Sequence, residues 1–224
     1  MPKRAPVRNI FRMSISAGSV LALAAAAAAH DGSSHANHAG TAKPAATEPA
    51  LAAAANTPGF PTIKGGDYNL VDQFGAHRTS KDPDGRYQLL FFGYANCQAI
   101  CSVVLPRMAE VTDRLEAKGE IVTPVMITVD PARDTAETLK AASKKHHKRL
   151  IGLTGSSAAL EDAYRAFQVE RKVVFTHPDY GDVYSHGSYI YLLAPDGSFR
   201  TLFPPVLSPE RVAELVTDYI AGKR

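Results

Sequence analysis

Two long apolar runs dominate the pattern of hydrophobic and polar positions. Gln88–Tyr94 (QLLFFGY) and Ile121–Val129 lack the strict alternation of a half-exposed strand and predict strands buried on both faces of a sheet. Between them Val104, Met108, Val111 and Leu115 recur at helical spacing, predicting a helix that starts at the cysteine pair and stops at Lys118-Gly119, where glycine ends it. Pro106 is expected near the first turn, where backbone N–H groups lack partners anyway. A second helix, capped by Asp134 or Thr135, runs to the basic cluster Lys144–Arg149, whose charge suits a helix C-terminus. Leu150–Leu153 predicts a short strand, and Ser156 or Ser157 starts a helix through Phe167. Short strands at Tyr68–Val71 and His77–Thr79 flank a Gln73-Phe74-Gly75 turn, and a hairpin pairs Val169–Phe175 with Ser188–Leu193. Pro195-Asp196-Gly197 turns the chain into Phe199–Phe203, as such residues do. The last helix runs from Ser208-Pro209-Glu210 to Ala221, with serine as N-cap and proline at the first helical position. Strands alternating with helices, then an antiparallel hairpin, predict an α/β three-layer fold with a mixed central sheet over residues 60–224.

Composition changes the picture at the N-terminus. Of 35 alanines, 19 lie in residues 1–59, whereas 17 of 18 Phe and Tyr residues lie from Phe60 onward. Residues 1–29 have a basic start, an apolar stretch Ile15–Ala29 and small residues after it, the layout of an export signal peptide. An uncleaved membrane anchor is the alternative. Either leader places the following domain in an oxidising compartment outside the inner membrane, free in the periplasm or anchored and facing it. Residues 30–59, rich in Ala, Gly, Ser, Thr and Pro, predict a flexible tether that cannot offset the entropy of ordering. Its His30, His35 and His38 read either as solvated linker or as an auxiliary copper site. Cleavage after Ala27 would expose Ala-Ala-His, a frame suited to square-planar Cu(II).

Charge excludes one class of partner. The net charge of +3 rests on Lys3, Arg4, Arg8 and Arg12, and without those four it becomes −1. No basic face for nucleic acid is implied, and membrane contact is expected only through an uncleaved leader.

Cysteine supplies the chemistry. Cys97 and Cys101 are the only two, and they fall where a buried strand meets a helix, the usual ligand position of α/β sheets. A helix N-terminus lowers thiol pKa, and four-residue spacing puts both sulfurs on one face of the first turn. The pair could form a disulfide or grip one metal ion. Thiolates select soft ions such as Cu(I), and imidazole also serves copper. The candidate third ligand is His186, directly before the apolar strand Tyr189–Leu193; a satisfied structural histidine is the competing reading. His146 and His147 are expected to be solvated or to answer the helix dipole at a helix end, and His77 and His177 to lie in loops.

These residues resemble the Sco/SenC family of thioredoxin-fold copper proteins over residues 60–221. The matching stretches are Phe91-Phe92-Gly93-Tyr94 before Cys97 and Cys101, Val129-Asp130-Pro131-Ala132-Arg133-Asp134-Thr135, Ile151-Gly152-Leu153-Thr154-Gly155, and His186 ahead of Tyr191-Leu192 and Pro195-Asp196-Gly197. The resemblance implies a thioredoxin-like fold with an added β-hairpin and Cu(I) or Cu(II) held by Cys97, Cys101 and His186. It also implies a metallochaperone serving the binuclear copper site in the copper-bearing subunit of cytochrome c oxidase. Two departures stand out. The family usually has Pro-Asp between the cysteines and aspartate before the histidine, where this chain has Gln98-Ala99-Ile100 and Ser185. Loss of two carboxylates is expected to leave the ligands in place but to change affinity and thiolate character. An alternative of a different class is a thiol–disulfide oxidoreductase cycling Cys97 and Cys101 on another cysteine-containing protein.

Overall fold

The structure, a computed structural model, describes residues 65–97 and 99–224. The expectations for residues 1–29 and 30–59, including His30, His35 and His38, lie outside the described residues.

The elements in chain order are β1 (Asn69–Asp72), β2 (His77–Thr79), β3 (Gln88–Gly93), α1 (Cys101–Ala117), β4 (Thr123–Thr128), α2 (Ala136–His146) and β5 (Ile151–Thr154). They continue as α3 (Ser157–Ala166), β6 (Lys172–His177), β7 (Gly181–Ser185), β8 (Ile190–Leu193), β9 (Phe199–Phe203) and α4 (Pro209–Ile220). Seven strands form one sheet in the order β2-β1-β5-β4-β3-β8-β9. The centre, β5-β4-β3, is parallel, while β1 and β8 pair antiparallel on either side. This is the mixed sheet expected from the sequence. Every residue of β3 and β8 is buried, as a strand covered on both faces requires.

Right-handed crossovers from β3 to β4 and from β4 to β5 step the same way along the sheet, so α1 and α2 share one face. Helix α4 packs along α1. On the other face Phe92 meets Tyr164 of α3 and Phe167 just beyond it, at ring separations of 6.0 and 5.6 Å. Three helices start as the sequence predicts: the hydroxyls of Thr135, Ser156 and Ser208 accept the N–H groups of Thr138, Ala159 and Arg211. Each such cap is worth about 1 kcal/mol.

Four local expectations need correction. Pro106 is the sixth residue of α1, in the second turn rather than the first. Cys97 precedes the helix, and only Cys101 belongs to it, so the two sulfurs do not ride on one helical turn. The hairpin is β6 with β7, a separate two-stranded sheet, while β8 joins the main sheet beside β3. Five of the six residues of β6 are exposed, so its Val173-Val174-Phe175 run is apolar without being core. His77 and His177 are strand residues, at the start of β2 and the end of β6.

Candidate metal centre

The carboxyl end of β3 delivers the first two donors. Beyond Gly93 the chain turns tightly, and the Cys97 N–H donates to the Tyr94 carbonyl at 3.3 Å. Helix α1 opens at Cys101, whose N–H donates to Cys97 Sγ at 3.4 Å. The sulfur thereby partners one of the N–H groups that a helix start leaves free. Gly93 makes room for this arrangement. A Cβ there would stand 2.6 Å from Phe91 Cε1 and 3.2 Å from Cys101 Sγ.

The third donor arrives from the other side. The chain leaves β7 at Ser185 and enters β8 at Ile190, and His186 lies in the connection. Its ring stands edge-on to Phe91 and Tyr94 at centroid separations of 5.8 and 5.9 Å. Nε2 faces Cys101 Sγ at 3.8 Å. Both sulfurs and a ring nitrogen of His186 lie within 4.8 Å of one another. All three residues are buried, with exposures of 8%, 2% and 3% for Cys97, Cys101 and His186.

The electrostatics make the two thiols unequal. Cys97 is pushed down to about 4, chiefly by the hydrogen bond with Cys101, while burial opposes and His186 assists. The same bond, then burial, pushes Cys101 well above the ordinary thiol range. No disulfide joins them. Two sulfurs and an imidazole form a soft donor set, which suits Cu(I). A separation of 3.8 Å leaves room for one ion bonded to both atoms at about 2.0–2.3 Å. The sequence departure at Ser185 has a structural counterpart: His186 Nδ1 is buried with no hydrogen-bond partner among the described residues, and Ser185 is exposed.

Among the described residues no other histidine joins the two cysteines. His147, the C-cap of α2, is not solvated, which leaves the dipole-related alternative. Its side chain is 7% exposed and Nε2 stands 3.2 Å from Asp113 Oδ1, while Nδ1 accepts the Arg149 N–H. Both nitrogens of His147 are thus engaged, and the nearby Glu116 pairs with Lys148 and Arg149 instead. His177 stacks on Tyr180 at 4.5 Å in the wall of a groove of about 320 Å³. Tyr94, Asn96 and Ala99, which flank Cys97 in sequence, also line that groove, together with Phe175 and Val183.

The SCO1/SenC sequence profile matches residues 56–221. The chain belongs to the SCO1/SenC family. The mouse mitochondrial protein SCO2 homolog is 35% identical over 159 residues, which are 70% of this chain and 62% of that protein. The chain thus spans less than two thirds of that relative. Among solved structures, copper-bound ScoI of Bradyrhizobium japonicum is 32% identical with a TM-score of 0.63, covering 70% of this chain and 99% of that one. Copper-bound ScoI of Arabidopsis thaliana is 30% identical with a TM-score of 0.66, covering 70% and 98%. The thioredoxin-like architecture of this SCO1/SenC chain, with its small extra hairpin sheet, agrees with these structures.

Three residues around the centre were not assigned to it from sequence. Gly93, Arg133 and Asp134 lie in stretches that carry the family resemblance, and that is the only signal that marks them. Arg133 and Asp134 reach partners up to 49 and 39 positions away, so no local pattern announces those contacts.

Proposed function

We propose that this protein binds copper through Cys97, Cys101 and His186 and passes it by ligand exchange to a partner protein. The observation that carries the reading is the convergence of both sulfurs and the imidazole within 4.8 Å. Copper-bound relatives at 30% and 32% identity support the choice of metal. In this reading the Cys97 thiolate supplies the first bond, Cys101 gives up its proton on binding, and His186 Nε2 completes the set. The acceptor is the copper-bearing subunit of cytochrome c oxidase, and the domain works in the periplasm after export by its leader, cleaved or retained as an anchor. Among the described residues no helix is long and apolar enough to cross a membrane.

Titration of the reduced protein with Cu(I) and with Cu(II), repeated on His186→Ala, tests the metal reading. The expected result is one copper per chain and weaker binding by the variant. Equal affinity would remove His186 from the ligand set.

A second reading is favoured by one observation, the depressed Cys97 thiol. As a thiol–disulfide reductase, the Cys97 thiolate would attack a partner disulfide and expel one partner thiolate. Cys101 would then lose its proton and displace the other, leaving a Cys97–Cys101 disulfide and a reduced partner. Catalytic disulfide reduction by wild type that binds no copper would establish this reading instead.

A further inference from the structure

The turn between β4 and α2 touches both halves of the metal centre. Its neighbouring residues Arg133 and Asp134 reach in different directions. Asp134 is buried, and its two carboxylate oxygens accept the Ala95 N–H at 3.2 and 3.1 Å. The Thr128 hydroxyl donates to the same carboxylate at 2.6 Å. Ala95 is two residues before Cys97, so the end of β4 tethers the loop that carries the first sulfur.

Arg133 serves the other half. Its guanidinium donates to the carbonyls of Tyr180 and Asp182, the latter at 2.6 Å, while Nε pairs with the buried Asp130 carboxylate. Tyr180 and Asp182 flank Gly181 at the tip of the β6–β7 hairpin, and β7 runs from there to Ser185, next to His186. Gly181 has φ +72°, and a Cβ there would collide with Arg133 Nη1. The positive φ favours glycine here, and any side chain would displace the arginine. Further along β7, the Tyr184 hydroxyl donates to Asp130 Oδ1 at 3.4 Å, and the Tyr184 ring meets Tyr94 edge-on at 5.6 Å.

This attachment has a mechanical consequence. The cysteines sit at a junction of the main sheet with α1. The histidine follows a hairpin that forms its own two-stranded sheet, so on that side the sheet hydrogen bonds do not fix it. Strand β8 holds His186 from the C-terminal side only. From its N-terminal side, the register of the histidine relative to the sulfurs depends on what holds the hairpin.

We infer that Arg133 and Asp134 are the positioning residues of the metal centre, Asp134 setting the cysteine loop and Arg133 setting the hairpin that delivers His186. The inference rests on the metal-binding reading above. Neither residue touches the metal. Groups that orient ligands from outside typically account for roughly 10–100-fold in metal affinity. Arginine suits the task because one planar fork can serve two carbonyls and a carboxylate, which a lysine ammonium cannot match.

The test compares wild type, Arg133→Gln, His186→Ala and the double variant, each folded by circular dichroism. Competition titration with Cu(I) gives affinity, and electron paramagnetic resonance of the Cu(II) form reports imidazole nitrogen coupling. The expected result is that Arg133→Gln loses roughly tenfold or more in affinity together with the nitrogen coupling, as His186→Ala does. The double variant is then no weaker than His186→Ala alone, because the two changes remove one interaction. Asp134→Asn, whose amide oxygen still accepts the Ala95 N–H, retains binding that Asp134→Ala loses. Unchanged affinity and coupling in Arg133→Gln, with wild type binding copper, would overturn the inference. If wild type binds none, the metal reading itself fails, and the alkylation rate of Cys97 in the metal-free protein decides the positioning role. Arg133→Gln must then match His186→Ala rather than wild type. Should Arg133→Gln not fold, Arg133→Lys carries the same comparisons.

Discussion

His186 Nε2 faces Cys101 Sγ at 3.8 Å across 85 residues of sequence, while Nδ1 of the same ring is buried without a partner among the described residues. The ring therefore points one nitrogen at the sulfurs and leaves the other unsatisfied. A buried polar atom with no partner costs about 1–3 kcal/mol. The edge-on contacts with Phe91 and Tyr94 require only an aromatic ring. Replacement of His186 by phenylalanine is thus expected to stabilise the metal-free protein by about 1 kcal/mol while weakening copper binding at least tenfold. Urea unfolding of both metal-free proteins checks the first part, and copper competition the second. A lower unfolding midpoint for His186→Phe would show that Nδ1 carries no penalty.

The donors were visible in the sequence, but the frame that holds them was not. Strands β3 and β4 announce themselves because strands buried on both faces need unbroken apolar runs, and Thr135, Ser156 and Ser208 mark helix starts by local hydrogen bonding. Those features are encoded within a few residues. Strand β6 misleads because Val173-Val174-Phe175 has the composition of a core strand, yet the hairpin stands outside the sheet and leaves all three exposed. The start of α1 at Cys101 depends on the Cys97 sulfur accepting an N–H, a role that residue type does not advertise. Asp134 and Arg133 meet partners 39 to 49 positions away in sequence, and no periodicity records such pairings.

The inequality of the two thiols predicts a pH profile. Because Cys97 is pushed down to about 4, its alkylation by iodoacetamide should be nearly independent of pH from 8 down to about 5, then fall through a midpoint near 4. Cys101 is the leading cause, so Cys101→Ala should move the midpoint upward. Peptide mass spectrometry after timed labelling resolves the two sites. A wild-type midpoint near 8 or 9, the ordinary thiol range, would show that Cys97 is not the thiolate.

Copper loading should raise stability by mass action. A ligand that binds only the folded chain contributes about 2.7 kcal/mol at one hundred times its dissociation constant. All three donors must be together for this gain, so Cys97→Ala, Cys101→Ala and His186→Ala should each shrink the copper-induced rise in thermal midpoint. Differential scanning calorimetry with and without Cu(I) measures it. A rise that survives His186→Ala undiminished would place the ion elsewhere.

Asp134 predicts a stability change with a definite sign. Burial pushes its carboxyl up from 3.8 to about 6, against the hydrogen bonds from Thr128 and Ala95. The folded-state value exceeds the unfolded one, so the contribution of this group is fully present below about 4 and is lost as pH rises through about 6. The folded chain holds Asp134 ionised at neutral pH at a cost on the order of 3 kcal/mol. Asp134→Asn removes that cost and keeps an acceptor for the Ala95 N–H. Relative to wild type it should therefore gain stability at pH 8 and gain little at pH 4. The difference between variant and wild type in urea at the two pH values isolates Asp134 from every other carboxylate. A gain of equal size at both would mean that the ionisation of Asp134 is not what the fold opposes.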